Sequence, residues 1–305
     1  MSKKKDELMD AVAQCTRLRA LAEQAFGAGA LDASERLIDQ WLEIATASGD
    51  AVLIDRACCI RSAVQLERGS FEEATATLGK ILLRSAELEN RFLAAYTLGR
   101  AYDRRKDWKR ALFYARLARE SAENLAREDW IASSENQIGN LLLTSSYFDE
   151  AIQSFERALT SSPSVRSVDR SVIIDNLGYC YIVRGRFAQG FRCLFESLRA
   201  LRSLGARRYE IEPRMSLSFA YLEVERPEQS LRHGLAALAL AEEFSDPDSI
   251  KTSLFLLGEA AKLLGNDDGA QSYFRRLQDA YYPNDTQLTD MLMVVDARSM
   301  VNLKA

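Results

Sequence analysis

The feature that most constrains this chain is a sequence pattern that recurs about every 40 residues. The clearest copies begin at Leu98, Ile138, Leu177, Leu217 and Leu257, so their starts are 40, 39, 40 and 40 residues apart. Two less regular copies precede them, aligned on Ala33 and Ala74, and together the seven fill the chain. A period of this length predicts an array of small repeated units that share a core with their neighbours, because one unit cannot bury its own apolar face.

Each copy has the spacing of two helices. In LGRAYDRRKDWKRALFYARLA, residues 98–118, the apolar and small positions Leu98, Gly99 and Tyr102 fall on one helical face. A matching stripe of small residues follows a short polar break: Ala111, Ala115 and Ala118. Small side chains let two antiparallel helices approach closely, so the copy predicts a helix hairpin.

Glycine and proline mark the predicted turns. Gly69, Gly185 and Gly265 occupy the same place between the two helices of three copies, where a left-handed backbone suits glycine. The five prolines all fall in predicted turns or first helical turns: Pro163, Pro213, Pro227, Pro247 and Pro283. Since no long linker separates the copies, we expect one continuous solenoid.

The copy from Ile138 carries the whole pattern of a known repeat family. Its positions are Ile138, Gly139, Leu142, Ala151, Phe155, Ala158 and the closing Pro163. The pattern resembles the tetratricopeptide repeat (TPR), and the resemblance covers about residues 10–285. That repeat usually has about 34 residues, whereas these copies run near 40, so the chain is similar to the long-helix variety. The resemblance implies an all-α fold, a right-handed α-solenoid of about seven antiparallel helix hairpins.

Residues 1–285 are therefore expected to form the repeat solenoid, and residues 286–305 a C-terminal capping helix. Leu288, Met291, Leu292 and Val295 have helical spacing and would cover the last hairpin. Two alternatives remain open for this segment: a helix that pairs with a partner, or a linker to a further segment.

Composition and motifs argue against catalysis. The chain is 47% hydrophobic and 28% charged and has no apolar run of membrane-spanning length, which favours the cytoplasm. Its five cysteines form no CxxC pair, and His233 is the only histidine. No nucleotide-binding, zinc-protease or serine-hydrolase motif stands in a suitable context. The sequence thus predicts a binding protein that is not an enzyme and has no cofactor or metal site.

The resemblance also implies where a partner would bind. In this family a second stripe on each first helix, about 120° from the packing stripe, lines a concave groove. In the third to seventh copies this stripe includes the residues three before and one after the small position: Tyr96, Arg100, Asn136, Asn140, Asp175, Tyr179, Met215, Phe219, Phe255 and Glu259.

The stripe changes character along the chain. Relatives that grip a C-terminal carboxylate use lysines and asparagines here, and Asn140 and Arg100 alone do not make such a clamp. Polar groups give way to aromatic and apolar groups from Tyr179 onward, which is typical of a surface that buries an amphipathic or apolar segment. Whether these side chains are free, or are buried against each other or the C-terminal helix, stays open.

Charge is unevenly distributed. Residues 166–214 contain ten arginines and five acidic residues, whereas residues 215–268 contain ten acidic and four basic residues. Such asymmetry could steer an acidic or phosphorylated partner. The acidic balance of the whole chain, and the lack of a recognised stacking platform, argue against nucleic acid.

Three functions from different classes remain. We expect a scaffold or adaptor whose groove binds a peptide or helical segment of another protein, with no membrane partner. The second is a peptide- or metabolite-sensing regulatory domain of a bacterial signalling or transcription-control system. The third is self-association through exposed solenoid ends.

Overall fold

The computed structural model describes residues 2–161, 167–298 and 301–304. These residues contain α-helices and turns and no strand. The helices are α1 Ser2–Gly27, α2 Leu31–Ser48, α3 Ala51–Glu67, α4 Phe71–Arg84, α5 Leu88–Arg104, α6 Trp108–Asn124, α7 Glu128–Thr144, α8 Phe148–Ser161, α9 Val168–Val183, α10 Phe187–Ser203, α11 Ile211–Glu223, α12 Pro227–Glu243, α13 Pro247–Leu263, α14 Asp267–Tyr281 and α15 Leu288–Val294. A 3₁₀ turn, Arg207–Glu210, precedes α11. The all-α fold of repeated helix pairs is confirmed.

The chain forms two compact units, Met1–Leu141 and Leu142–Ala305. In the first unit, the first helix α3 contacts the first helices α1 and α5. The three pack against their hairpin partners, α4, α2 and α6 respectively. In the second unit, α11 contacts both α9 and α13 in the same way. First helices of successive hairpins thus form one layer within each unit. That a single continuous solenoid covers residues 1–285 stays a prediction.

Side-chain caps start several helices where the sequence provides Asp, Ser or Asn. The Asp50 carboxylate accepts from the amide of Val52 at 2.8 Å, and Ser167 Oγ accepts from the amide of Arg170 at 3.1 Å. Asn266 accepts from the amide of Gly269 at 3.0 Å, so GNDDGA, residues 265–270, forms a turn followed by a capped helix. Each such bond pairs an amide that the first helical turn cannot satisfy internally.

The turns inside the hairpins have a left-handed residue at one fixed place. Gly69, Gly185 and Gly265 have φ of 86°, 70° and 68°, as predicted. Lys106 and Glu225 take the equivalent place in other copies, with φ of 56° and 55°. A side chain makes this conformation costly, so these two turns are held by the helices they connect. Pro163 and Arg166 lie outside the described residues.

The small positions on both helices of a hairpin allow close helix contact. Ala111, Ala115 and Ala118 are fully buried, as their spacing predicts. At Gly258 an added Cβ would lie 2.2 Å from Cε1 of Phe274, which is itself fully buried. At Gly99 an added Cβ would instead meet the end of the Gln137 side chain at 2.6 Å. The same repeat position is therefore packed against a ring in one unit and a flexible amide in the other.

The C-terminal helix is shorter than predicted. It ends at Val294, and the described residues beyond it contain no further α-helix. Leu292 is buried and α15 contacts α14, whereas Met291 is half-exposed. The paired β-branched residues Val294 and Val295 and the following Asp296 disfavour helix continuation, which the apolar spacing alone does not reveal.

Candidate functional site in the second unit

The predicted stripe of the first unit consists of half-buried and exposed polar positions. The Tyr96 ring stacks on Phe92 at 5.6 Å, and its carbonyl oxygen accepts from Gln137 Nε2 at 3.3 Å. Asn136 and Asn140 are half-buried. The Arg100 side chain is 47% exposed, with Nη2 3.8 Å from Glu67 Oε1.

The predicted stripe of the second unit is buried. We call it the second-unit stripe; its members are Asp175, Tyr179, Met215, Phe219, Phe255 and Glu259, none more than 9% exposed. Tyr179 and Phe219 lie on neighbouring first helices with ring centroids 5.5 Å apart, and Phe148 approaches Tyr179 edge-on at 6.4 Å. The structure therefore brings these aromatic positions together. Their role in binding a partner stays a prediction.

The residues that follow α15 lie over this stripe. We call them the C-terminal segment, whose described residues are 295–298 and 301–304. Near its start, Lys262 Nζ on α13 donates to the carbonyl oxygens of Leu292 and Val295 at 2.7 and 2.8 Å. Arg298 Nη1 donates to the carbonyl oxygen of Leu222 at the end of α11, at 3.2 Å.

The segment continues to α9 and the end of α7. The Leu303 amide donates to the Tyr179 hydroxyl at 3.0 Å, and that hydroxyl donates to Asn302 Oδ1 at 3.3 Å. Asn302 Nδ2 donates to the carbonyl oxygen of Leu143 at 2.8 Å and to Ser146 Oγ at 3.2 Å. The segment therefore crosses α13, α11, α9 and the end of α7, in the reverse of chain order.

Lys304 ends this path between two carboxylates. Its Nζ lies 2.7 Å from Asp175 Oδ2 and 2.6 Å from Glu212 Oε2, and 5.9 Å from the centroid of the Tyr179 ring. The Lys304 side chain is 10% exposed and that of Asp175 is 2% exposed, while Glu212 at 49% borders solvent. This is a charged pair within the stripe, closed on one side by an aromatic face.

Electrostatics keep the lysine charged. Burial lowers the pKa of Lys304, but the two carboxylates outweigh that effect and its net pKa is raised. Burial raises the pKa of Tyr179 to about 12, so its hydroxyl stays neutral and can both donate and accept. Burial also raises the pKa of Glu259, against the opposing effect of Lys262, which donates to it at 2.8 Å. The stripe thus holds polar groups that need partners, beside its aromatic rings.

Sequence reasoning missed three residues of this arrangement: Glu212, Asn302 and Lys304. Glu212 lies in the first turn of α11, three residues before Met215 and so outside the inferred stripe. Asn302 and Lys304 were assigned to a helix that does not extend so far. In VNLKA, residues 301–305, the polar residues Asn302 and Lys304 were the sequence feature that could have indicated these contacts. Ile182, three residues after Tyr179 on α9, is only 1% exposed, and its Cδ1 would lie 2.5 Å from a Cβ added at Gly190 on α10, so it packs inside the hairpin.

Four of the ten arginines in residues 166–214 form ion pairs with described acidic residues. Arg184 binds Asp149, Arg207 binds Glu243, and Arg202 and Arg214 bind Glu210. These four arginines are therefore matched by acidic partners, and the acidic residues of the second-unit stripe are Asp175 and Glu259, with Glu212 beside Asp175 at Lys304.

Metal-binding groups and membrane-spanning helices are the other features considered in the described residues. No group of three or more His, Cys, Asp or Glu side chains among them could hold a metal ion. In the part of the chain that the structure describes, no helix combines the length and apolarity needed to cross a membrane.

Comparison with protein families gives two matches. Models of the tetratricopeptide repeat match residues 134–165 and residues 252–285. Both ranges coincide with copies identified from the 40-residue period. No curated protein sequence matches the chain.

Solved structures share the fold at low sequence identity. PilW, a type IV pilus biogenesis factor, is 20% identical with a TM-score of 0.62, over 78% of this chain and 98% of that one. A Rap protein in complex with Competence and Sporulation Factor is 13% identical with a TM-score of 0.69, over 95% and 81%. A STAND protein with a tetratricopeptide repeat sensor, from Pyrococcus horikoshii, is 15% identical with a TM-score of 0.69, over 95% and 46%. At these identities the likeness concerns the fold alone.

Proposed function

Because the chain is a tetratricopeptide-repeat protein, we propose that it is an interaction scaffold and that its second-unit stripe binds a segment of a partner protein. The observation that carries the proposal is the C-terminal segment itself. Residues 301–304 contribute backbone and side-chain groups that bond to α7, α9 and α11. A surface that holds one segment of its own chain has the hydrogen-bonding groups and ring faces to hold another.

The properties of the stripe agree with peptide binding. Tyr179 and Phe219 offer ring faces on α9 and α11, and Asp175, Glu212 and Glu259 offer carboxylates on α9, α11 and α13. Mixed aromatic and charged groups in one buried patch are typical of positions that dominate binding energy at interfaces. The fold agrees too, since the Rap protein of similar fold was determined in complex with a factor.

Affinity capture with the full chain tests this proposal. Wild-type protein is compared with Tyr179→Ala/Phe219→Ala and with Leu277→Ala, which removes a buried side chain on α14 away from the stripe. Each partner recovered is then purified and its Kd is measured. We expect the stripe variant to weaken binding by at least about 10-fold, while Leu277→Ala leaves the Kd unchanged. Recovery of the same partners with equal Kd by both variants would show that the stripe is not the binding site.

A sensor domain is the second candidate. The observation that favours it is that the cover of the stripe belongs to the same chain, so any ligand that replaces the cover also releases residues 301–304. Such exchange converts binding into a change of exposed surface. A scaffold would bind its partner without needing that release as a signal. Limited proteolysis of the C-terminal segment with and without a small peptide or metabolite tests the sensor, which requires faster cleavage in the complex, and unchanged cleavage would contradict it.

A further inference from the structure

The Lys304 site has the features of a cation pocket. The ammonium group has two carboxylate partners at 2.7 and 2.6 Å, and the Tyr179 ring lies beside it at 5.9 Å from Nζ. Taking a charged amine from water into such a site is unfavourable unless it is well paired. Here both carboxylates and the negative face of the ring oppose that cost. An uncharged side chain of the same length would leave Asp175 buried beside no cation.

The shape of the pocket suits an ammonium group better than a guanidinium group. The two carboxylate oxygens converge on one nitrogen from different helices, α9 and α11. A compact ammonium can direct its hydrogens to both, whereas a planar guanidinium binds carboxylates side by side in its own plane. The geometry therefore favours lysine over arginine.

The residues next to Lys304 contact the repeats through the Leu303 backbone and the Asn302 side-chain amide. Leu303 contributes its N–H to Tyr179, and the Asn302 side chain bridges Tyr179, Leu143 and Ser146. Val301 is 41% exposed and Leu303 is half-buried, so little apolar surface fixes these residues. Upstream, Leu292 and Ala297 are buried and anchor the start of the path. Residues 301–304 are thus held mainly by polar contacts, each of which is weak in net terms because water competes for the same groups.

We propose that Asp175, Glu212 and Tyr179 form a lysine-recognition pocket, which Lys304 occupies in the free protein and which a partner segment with a lysine two residues after an asparagine takes over. This inference rests on the proposed function of the second-unit stripe and adds the chemistry of its partner. Because Lys304 occupies the pocket, a partner needs a minimum affinity to displace it. A tethered segment competes at an effective concentration in the millimolar range, so a partner must bind better than the segment does on its own.

A peptide titration with the full chain tests the pocket. The probe is a fluorescently labelled synthetic peptide with the sequence of residues 298–305, RSMVNLKA. It is added to wild-type protein and to Asn302→Ala/Lys304→Met, in which the internal competitor is weakened. We expect the Kd for the double variant to be at least about 10-fold lower than for wild-type protein, because the pocket is then open.

A second peptide isolates the lysine. With Lys304→Met in the peptide, the Kd for the same double variant should rise by at least about 10-fold, because Asp175 is buried without its cation. Adding Glu212→Gln to the protein should raise the Kd of the lysine peptide by about 3-fold and leave that of the methionine peptide unchanged, since Glu212 is half-exposed and contacts the amine. Glu212 borders solvent, so this variant keeps the fold of α11.

The outcomes separate the two proposals. Equal binding of the lysine and methionine peptides would overturn the lysine pocket and leave the peptide-binding stripe standing. No binding of either peptide up to millimolar concentration, with the double variant folded by circular dichroism, would overturn both. Tight binding of the lysine peptide to wild-type protein, with no gain in the double variant, would overturn the occupancy by Lys304.

Discussion

Equivalent positions on the first helices have opposite surroundings in the two units. Arg100 in the first unit has a half-exposed side chain, whereas Tyr179, at the same place in its repeat, is 1% exposed and contacts the C-terminal segment. The repeat puts both residues in the same register, but at Tyr179 the neighbouring rings of Phe148 and Phe219 and the C-terminal segment, which lies outside the repeats, all make contact. A repeat pattern therefore locates a binding stripe, but what lies on that stripe depends on the rest of the chain.

The largest expected difference concerns the packing glycines. Gly258→Ala would place a Cβ against the buried Phe274 ring and should lower the free energy of unfolding by about 2–3 kcal/mol. Gly99→Ala, its equivalent in the first unit, meets only the flexible end of Gln137 and should change the stability by less than about 1 kcal/mol. Urea denaturation of both variants measures this, and equal losses would contradict the difference in packing.

Lys304→Met should have the next largest effect. Losing both ion pairs should release residues 301–304 and lower the stability of the second unit by about 1–2 kcal/mol, with faster hydrogen exchange along α9 near Asp175. The matched variant Arg100→Met removes an exposed contact with Glu67 and should cost less than about 0.5 kcal/mol. Unchanged exchange along α9 in Lys304→Met would show that the segment does not protect the stripe.

Acid should affect the second unit through its single histidine. Burial, with Arg214, Arg232 and Arg202 nearby, lowers the pKa of His233 from 6.5 to about 4. The unfolded chain takes up a proton below pH 6.5 that the folded chain resists, so stability should fall between pH 6.5 and about 4. The ring is partly exposed, which limits the loss to the order of 1 kcal/mol. The variant His233→Gln should remove this slope in thermal denaturation, and an unchanged slope would assign it to other groups.

The smallest effect is expected at two equivalent turns. Lys106→Gly in the first unit and Glu225→Gly in the second relieve side chains at φ near 55°, and each should raise the stability by about 0.5–1 kcal/mol. Glycine also loses more entropy on folding, which keeps the gain small. Melting temperatures measure both, and destabilisation by either would show that the native side chain makes a contact worth more than the strain.

The fold could be predicted from the sequence because its information is local and repeated. A turn is indicated by Gly265, a close helix contact by Ala111 and a helix cap by Asn266, and each feature lies within its own repeat. The covering of the stripe could not be predicted, because it joins residues such as Tyr179 and Asn302 that lie more than 120 positions apart. A short segment with one asparagine and one lysine has no periodicity that would indicate where it lies.

The Leu303 amide offers the sharpest test of the covered stripe. Its N–H donates to the Tyr179 hydroxyl at 3.0 Å, a contact that exists only if the C-terminal segment lies on α9. In wild-type protein we expect slow hydrogen exchange at this amide by NMR. In Tyr179→Phe, which removes the acceptor but keeps the Lys304 ion pairs, we expect a faster rate at this amide, closer to that of the free peptide RSMVNLKA, with α9 itself unchanged. Exchange in the wild-type protein as fast as in the free peptide would mean that the stripe is not covered.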